Sequence, residues 1–152
     1  MNGQSGPVYN RFVCPHCEVD LNPGNGPIIK MRGRLDSPRF TVHTEVILPS
    51  GLGVYGRLTA TAVELREGAK IQFSCPSCGE PFSRSEADDL AHVRMFDSEG
   101  HSFLVKFNKN YGKRSTFVID AQGGNLEREF GEDAEDYRHS IDVDKDLNFF
   151  GS

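Results

Sequence analysis

Four cysteines, spaced C-x2-C-x57-C-x2-C, constrain this chain more than any other feature it carries. They fall in two stretches of one design, "FVCPHCEVDL" at 12–21 and "FSCPSCGEPF" at 73–82, each written aromatic-x-Cys-Pro-x-Cys. Two residues between cysteines let one tight turn deliver two sulfurs, and four thiolates at roughly 2.3 Å from one ion make the closed tetrahedral set of a structural zinc site. Pro15 and Pro76 suit such a turn, because a fixed φ lowers the entropy cost of forming it. If Cys14, Cys17, Cys75 and Cys78 hold one ion, the 57 residues between the pairs must leave and return to the same place. Loop-closure cost rises only logarithmically with length, so an antiparallel sheet inserted at about 28–72 meets that demand.

The two stretches resemble the knuckles of the zinc-ribbon and rubredoxin-like class, in which two hairpin turns face one another across a metal. The resemblance covers about twenty residues and implies that all four cysteines are ligands. Two departures stand out. Glu18 occupies the place where a Gly is common, so the first knuckle is expected to be less regular than the second, where Gly79 can take a positive φ. The gap between the pairs also exceeds that of a simple ribbon. Iron is the less favoured metal, and the competing arrangements are a disulfide within each pair, half-sites completed by another subunit, or a redox C-x-x-C. Redox thiols prefer a helix start within a βαβ unit, and no such unit is readable here. His16 sits inside the first turn and is expected to point outward, while His43, His92, His101 and His139 show no ligand spacing and are expected to be structural or superficial.

Around the knuckles the chain reads as β. In "RFTVHTEVIL" alternate residues Phe40, Val42, Thr44, Val46 and Leu48 mark a strand, and "VYGRLTATAVEL" and "KIQFS" continue in that style, giving two to four antiparallel strands over 28–72. "SRSEADDLAHV", 83–93, is the one stretch read as helical, with Ser85 as N-cap and Glu86, Asp88 and Asp89 near the positive end. From Val93 to residue 130, turn signals about every ten residues predict an antiparallel meander. The expectation is a mainly β protein of antiparallel sheets with a two-knuckle, four-cysteine zinc site, one short helix and an acidic C-terminal tail. Residues 1–130 form its clasped domain, and 131–152 a tail expected to be mobile.

Charge and motifs bound the function. The net charge is -5, and residues 127–152 hold nine acidic against three basic side chains. That balance disfavours general nucleic-acid binding, which draws its affinity from Lys and Arg. A local exception is "FLVKFNKNYGKR", where Lys106, Lys109, Lys113 and Arg114 interleave with Tyr111 and two Phe residues as in single-strand binders, although the favoured expectation is a hairpin whose Phe residues face the core and whose Lys and Arg are solvated; Lys30, Arg32, Arg34 and Arg39 form a second basic cluster. "GLGVYG", 51–56, fits the dinucleotide fingerprint but precedes a strand rather than a helix, so it is expected to be a glycine-rich turn. "DVDKDLN" starts like a calcium loop and lacks its glycine and its final Glu. Phe149 and Phe150 are candidates either for docking on the parent domain or for engaging a partner.

No hydrolase, protease or phosphate-loop motif is present, and a metal closed by four thiolates has no vertex for water. With no membrane-spanning run and a polar start unlike a signal peptide, a cytoplasmic location is expected. The reading is a non-catalytic zinc protein, an accessory subunit or assembly factor that binds another protein. The alternatives are a nucleic-acid-associated zinc ribbon and, with iron, a rubredoxin-like electron carrier.

Overall fold

A computed structural model describes residues 9–59 and 65–141. In chain order β1 (Arg11–Val13) is followed by β2 (Ile28–Asp36), β3 (Thr41–Pro49), β4 (Leu58–Thr59) and β5 (Gln72–Ser74). Then come β6 (Leu90–Phe96), β7 (Ser102–Asn108), β8 (Thr116–Asp120), β9 (Leu126–Phe130) and a four-residue helix, α1 (Ala134–Tyr137). Among the described residues the strands make two antiparallel sheets, a five-stranded one ordered β1-β6-β7-β8-β9 and a four-stranded one ordered β4-β3-β2-β5. The four-stranded sheet is built wholly from the segment between the two cysteine pairs and the strand that leads into the second. The chain leaves the first sheet after β1, builds the second, and returns at β6.

Period-two alternation explains the packing. β2 and β3 pair from Ile28↔Pro49 to Asp36↔Thr41, which puts Ile29, Met31, Val46 and Leu48 on one face. These four are buried in one cluster with Phe12, Val93, Met95, Val105 and Val118 of the five-stranded sheet, so the two sheets share a core. Phe73 and Phe107 meet edge to face across it, with centroids 5.2 Å apart. Gly33 allows a close approach within this sheet: a Cβ there would lie 2.4 Å from Cγ2 of Val46 and 3.1 Å from Cγ2 of Ile71.

Two expectations need correction. Residues 83–93 are not helical. The Ser85 amide donates to Asp88 Oδ2 and the Ala87 amide to Ser85 Oγ, closing a short turn, and the chain enters β6 at Leu90. The helix instead is α1, where Ala134 packs with Leu90 and Phe117, and Tyr137 and Ile141 border them. The basic stretch at 103–114 is not a solvated hairpin either. Lys106 and Lys109 are buried, at 7% and 0% exposure. The Lys109 ammonium donates to Ser83 Oγ at 3.0 Å and to the carbonyls of Ser85 and Glu86, so it pins the turn after the second knuckle.

The "GLGVYG" run forms the connection from β3 to β4 and precedes no helix. Gly53 has φ +77° and lies so close to the Phe130 ring that a Cβ would be 2.9 Å from it. Phe149, Phe150 and "DVDKDLN" lie outside the described residues. Among the described residues no helix is long and apolar enough to cross a membrane.

Candidate metal centre

Each knuckle grows from the end of a strand. β1 delivers Cys14 and β5 delivers Cys75, and beyond each cysteine the chain folds back through one repeated set of hydrogen bonds. The Cys14 amide donates to Val19 O at 3.1 Å and the Glu18 amide to Cys14 O at 2.9 Å; the Cys75 amide donates to Glu80 O at 3.0 Å and the Gly79 amide to Cys75 O at 3.1 Å. The sulfurs are treated alike. His16 and Cys17 amides point at Cys14 Sγ at 3.3 and 3.5 Å, and Ser77 and Cys78 amides point at Cys75 Sγ at 3.3 and 3.4 Å. The bridges Val13↔Asp20 and Ser74↔Pro81 close the two hairpins. Glu18 therefore corrects the expectation of an irregular first knuckle: it takes φ +64°, close to the φ +78° of Gly79.

The knuckles face one another. All four Sγ atoms lie within 4.8 Å of each other, with Cys14 to Cys78 at 3.8 Å and Cys17 to Cys75 at 3.7 Å. A regular tetrahedron with metal–sulfur bonds of about 2.3 Å has edges of about 3.8 Å, so the cluster fits one four-coordinate ion. Zinc and iron share that geometry, and the spacing does not choose between them. The cysteines are free rather than disulfide-linked, and both pairs come from one chain. Cys14 and Cys75 are fully buried, whereas Cys17 and Cys78 reach the surface.

Without a cation the thiols titrate unequally. Burial pushes Cys14 up to about 12. Burial also acts to raise Cys75, but the amides of Cys78 and Ser77 and the thiols of Cys17 and Cys14 outweigh it, and Cys75 falls to about 7. Cys75 is thus a readier thiolate than Cys14, and a bound cation would favour the ionised form of both.

The other residues singled out from sequence do not join this site. Lys106 and Lys109 are interior, Tyr111 and Lys113 are half-buried, and Arg114 is exposed with its guanidinium 5.8 Å from the Tyr55 ring centre. The buried Lys109 carried no sequence signal, since its partners are a hydroxyl and two carbonyls more than twenty residues away. His92 is buried on β6, as a structural histidine should be, and His43 is exposed on β3. Asp97, Glu99 and His101 also lie together on the β6–β7 turn, where Asp97 Oδ1 accepts the amides of Glu99 and His101. Those bonds are the ordinary bonds of a turn.

Fold and site together define a two-sheet antiparallel β protein with a four-cysteine cluster consistent with a two-knuckle metal site. Comparison with protein-family models, with curated proteins and with solved structures gives no match.

Proposed function

We propose that the chain is a non-catalytic zinc protein in which Cys14, Cys17, Cys75 and Cys78 hold one structural ion, and that it serves a larger assembly by binding another protein. The observation that carries this reading is the position of the four sulfurs. One pair hangs from the five-stranded sheet and the other from the four-stranded sheet, so an ion bound to all four ties the two layers together. Four thiolates leave no coordination vertex for a substrate, and two of them are buried in the core cluster itself. Such a centre supplies folding free energy rather than a reactive water.

The test is the metal content of protein purified without added metal, followed by affinity purification from the native cell. One zinc per chain in a colourless preparation, with a stoichiometric protein partner, is the expected result. Iron and a visible thiolate-to-iron absorption point instead to an electron carrier. Full zinc with no partner recovered removes the accessory role and leaves the metal assignment standing.

A further inference from the structure

The four-stranded sheet turns one face to the core and the other to solvent, and the solvent face has an uneven chemistry. β2 sends Ile28, Lys30, Arg32 and Arg34 outward. Register places Ile47 of β3 beside Lys30, and Leu58 of β4 beside Ile47. Ile28 and Leu58 are 42% and 68% exposed, so an aliphatic patch lies open next to the cations. Those cations differ. Arg34 is occupied by Asp36 at 3.0 Å and Glu86 at 2.9 Å, whereas exposed Lys30 and Arg32 have no ion-pair partner among the described residues. Beyond Arg32 the face deepens into a groove of about 840 Å³, walled by Pro76 and Pro81 of the second knuckle and by the 83–86 turn.

Aliphatic side chains beside unpaired cations, on a regular sheet with one raised wall, suit an extended segment that carries both apolar and carboxylate groups. A phosphate polymer suits it less. With Glu45 in register beside Arg32 the face offers two cations, enough for isolated carboxylates but not for a polyanion, and Phe73 of the groove lining is buried and offers no ring for a base. A flat bilayer does not enter a walled groove.

We propose that this face is a docking surface for an extended, acidic and apolar peptide segment of a partner protein, held by Lys30 and Arg32 at its carboxylates and by Ile28, Ile47 and Leu58 at its apolar side chains. The inference deepens the interaction reading above and rests on it; it does not depend on which metal the cysteines hold.

A random-peptide display selection on the metal-loaded full chain tests it, with fluorescence anisotropy on the peptides recovered. Recovered sequences should combine Asp or Glu with aliphatic or aromatic residues. Their affinity should fall at least about tenfold in Arg32→Glu and Lys30→Glu, fall in Leu58→Asp, and hold in Lys113→Glu, which lies off this face. A selection with no such enrichment, or peptides that bind Arg32→Glu as tightly as the parent, overturns the proposal. So does binding of oligo(dT) or phosphatidylserine vesicles that Arg32→Glu abolishes while peptides are ignored, since the surface would then serve a nucleic acid or a membrane. Metal content and thermal midpoint, measured on every variant, separate loss of this surface from loss of the metal-clasped fold. A partner recovered from cells that still binds Arg32→Glu overturns the surface and leaves the interaction role intact.

Discussion

Replacing Glu18 with Gly should stabilise the protein, and the second knuckle supplies the internal control. The two turns share their hydrogen bonds to within 0.2 Å, yet the residue after the second cysteine is Glu in one and Gly in the other, both at positive φ. A residue with a Cβ in the left-handed region costs roughly 1–2 kcal/mol. Glycine removes that cost and gives back about 0.5–1 kcal/mol through the greater freedom of the unfolded chain. Glu18→Gly should therefore gain about 0.5–1 kcal/mol, a rise of roughly 1–4 °C in thermal midpoint for a chain of this size. Among the described residues, the exposed Glu18 side chain makes no hydrogen bond or ion pair that the change would forfeit.

Gly79→Ala should shift the other way by about 1 kcal/mol, purely through the backbone, because nothing lies within 4 Å of a Cβ built at that position. Glu18→Ala removes the carboxylate while keeping a Cβ, so the difference between Glu18→Gly and Glu18→Ala isolates the backbone from the charge. The assay is urea denaturation of the metal-loaded proteins at equal metal occupancy. Should Glu18→Gly prove no more stable than Glu18→Ala, or should Gly79→Ala match the parent, the claim that both knuckles impose the same positive φ would be wrong.

Other predictions follow from the same geometry. Gly33→Ala should cost about 1–3 kcal/mol by forcing a methyl into Val46 and Ile71, and Val46→Ala in the same chain should recover part of it, giving a double-mutant coupling well away from zero. Cys75→Ser should abolish stoichiometric metal binding and the parent's cooperative transition, and an unchanged transition would refute a structural centre. His92 is held at about 3 by burial and then by the charge of Lys106, below its ordinary 6.5. Its neutral form therefore supports the fold above pH 6.5, and that contribution is lost as pH falls towards 3, by at most about 3 kcal/mol at pH 4. His92→Leu should lose less stability than the parent between pH 6.5 and pH 4, read as the difference between the two proteins so that thiolate protonation, common to both, cancels.

The parts of this fold that were legible in the sequence are those fixed by neighbours in the chain. Alternation over 40–48 marked β3, turn residues about every ten positions marked the meander from β6 to β9, and the two CPxC stretches marked the knuckles. What escaped was fixed from a distance. Ser85, Glu86, Asp88 and Asp89 have the composition of a helix start, but the Lys109 ammonium enters their turn and the Lys109 amide takes the carbonyl of Asp89 at 2.7 Å. No local pattern announces a lysine placed inside. Conversely, the charged run that holds α1 looks unfit for a core, yet Ala134, with Tyr137 and Ile141 beside it, packs against Leu90 and Phe117.

The 57-residue gap between the cysteine pairs has the same origin, and it determines what an ion held by them would do. Short ribbons place both knuckles in one small unit, so their ion organises residues that are already close in sequence. Here β1 belongs to one sheet and β5 to the other, and the intervening chain is almost the whole of the second layer. By analogy with a disulfide closing a loop of this length, a tie at that point withdraws roughly 4 kcal/mol of unfolded-chain entropy. The two sheets already share a core through Phe12, Met31, Phe73 and Val105, so an ion held by all four sulfurs would lock a packing arrangement that the apolar side chains select. Its main consequence would be rigidity of the four-stranded sheet relative to the five-stranded one, which lowers the ordering cost of binding at an exposed sheet face.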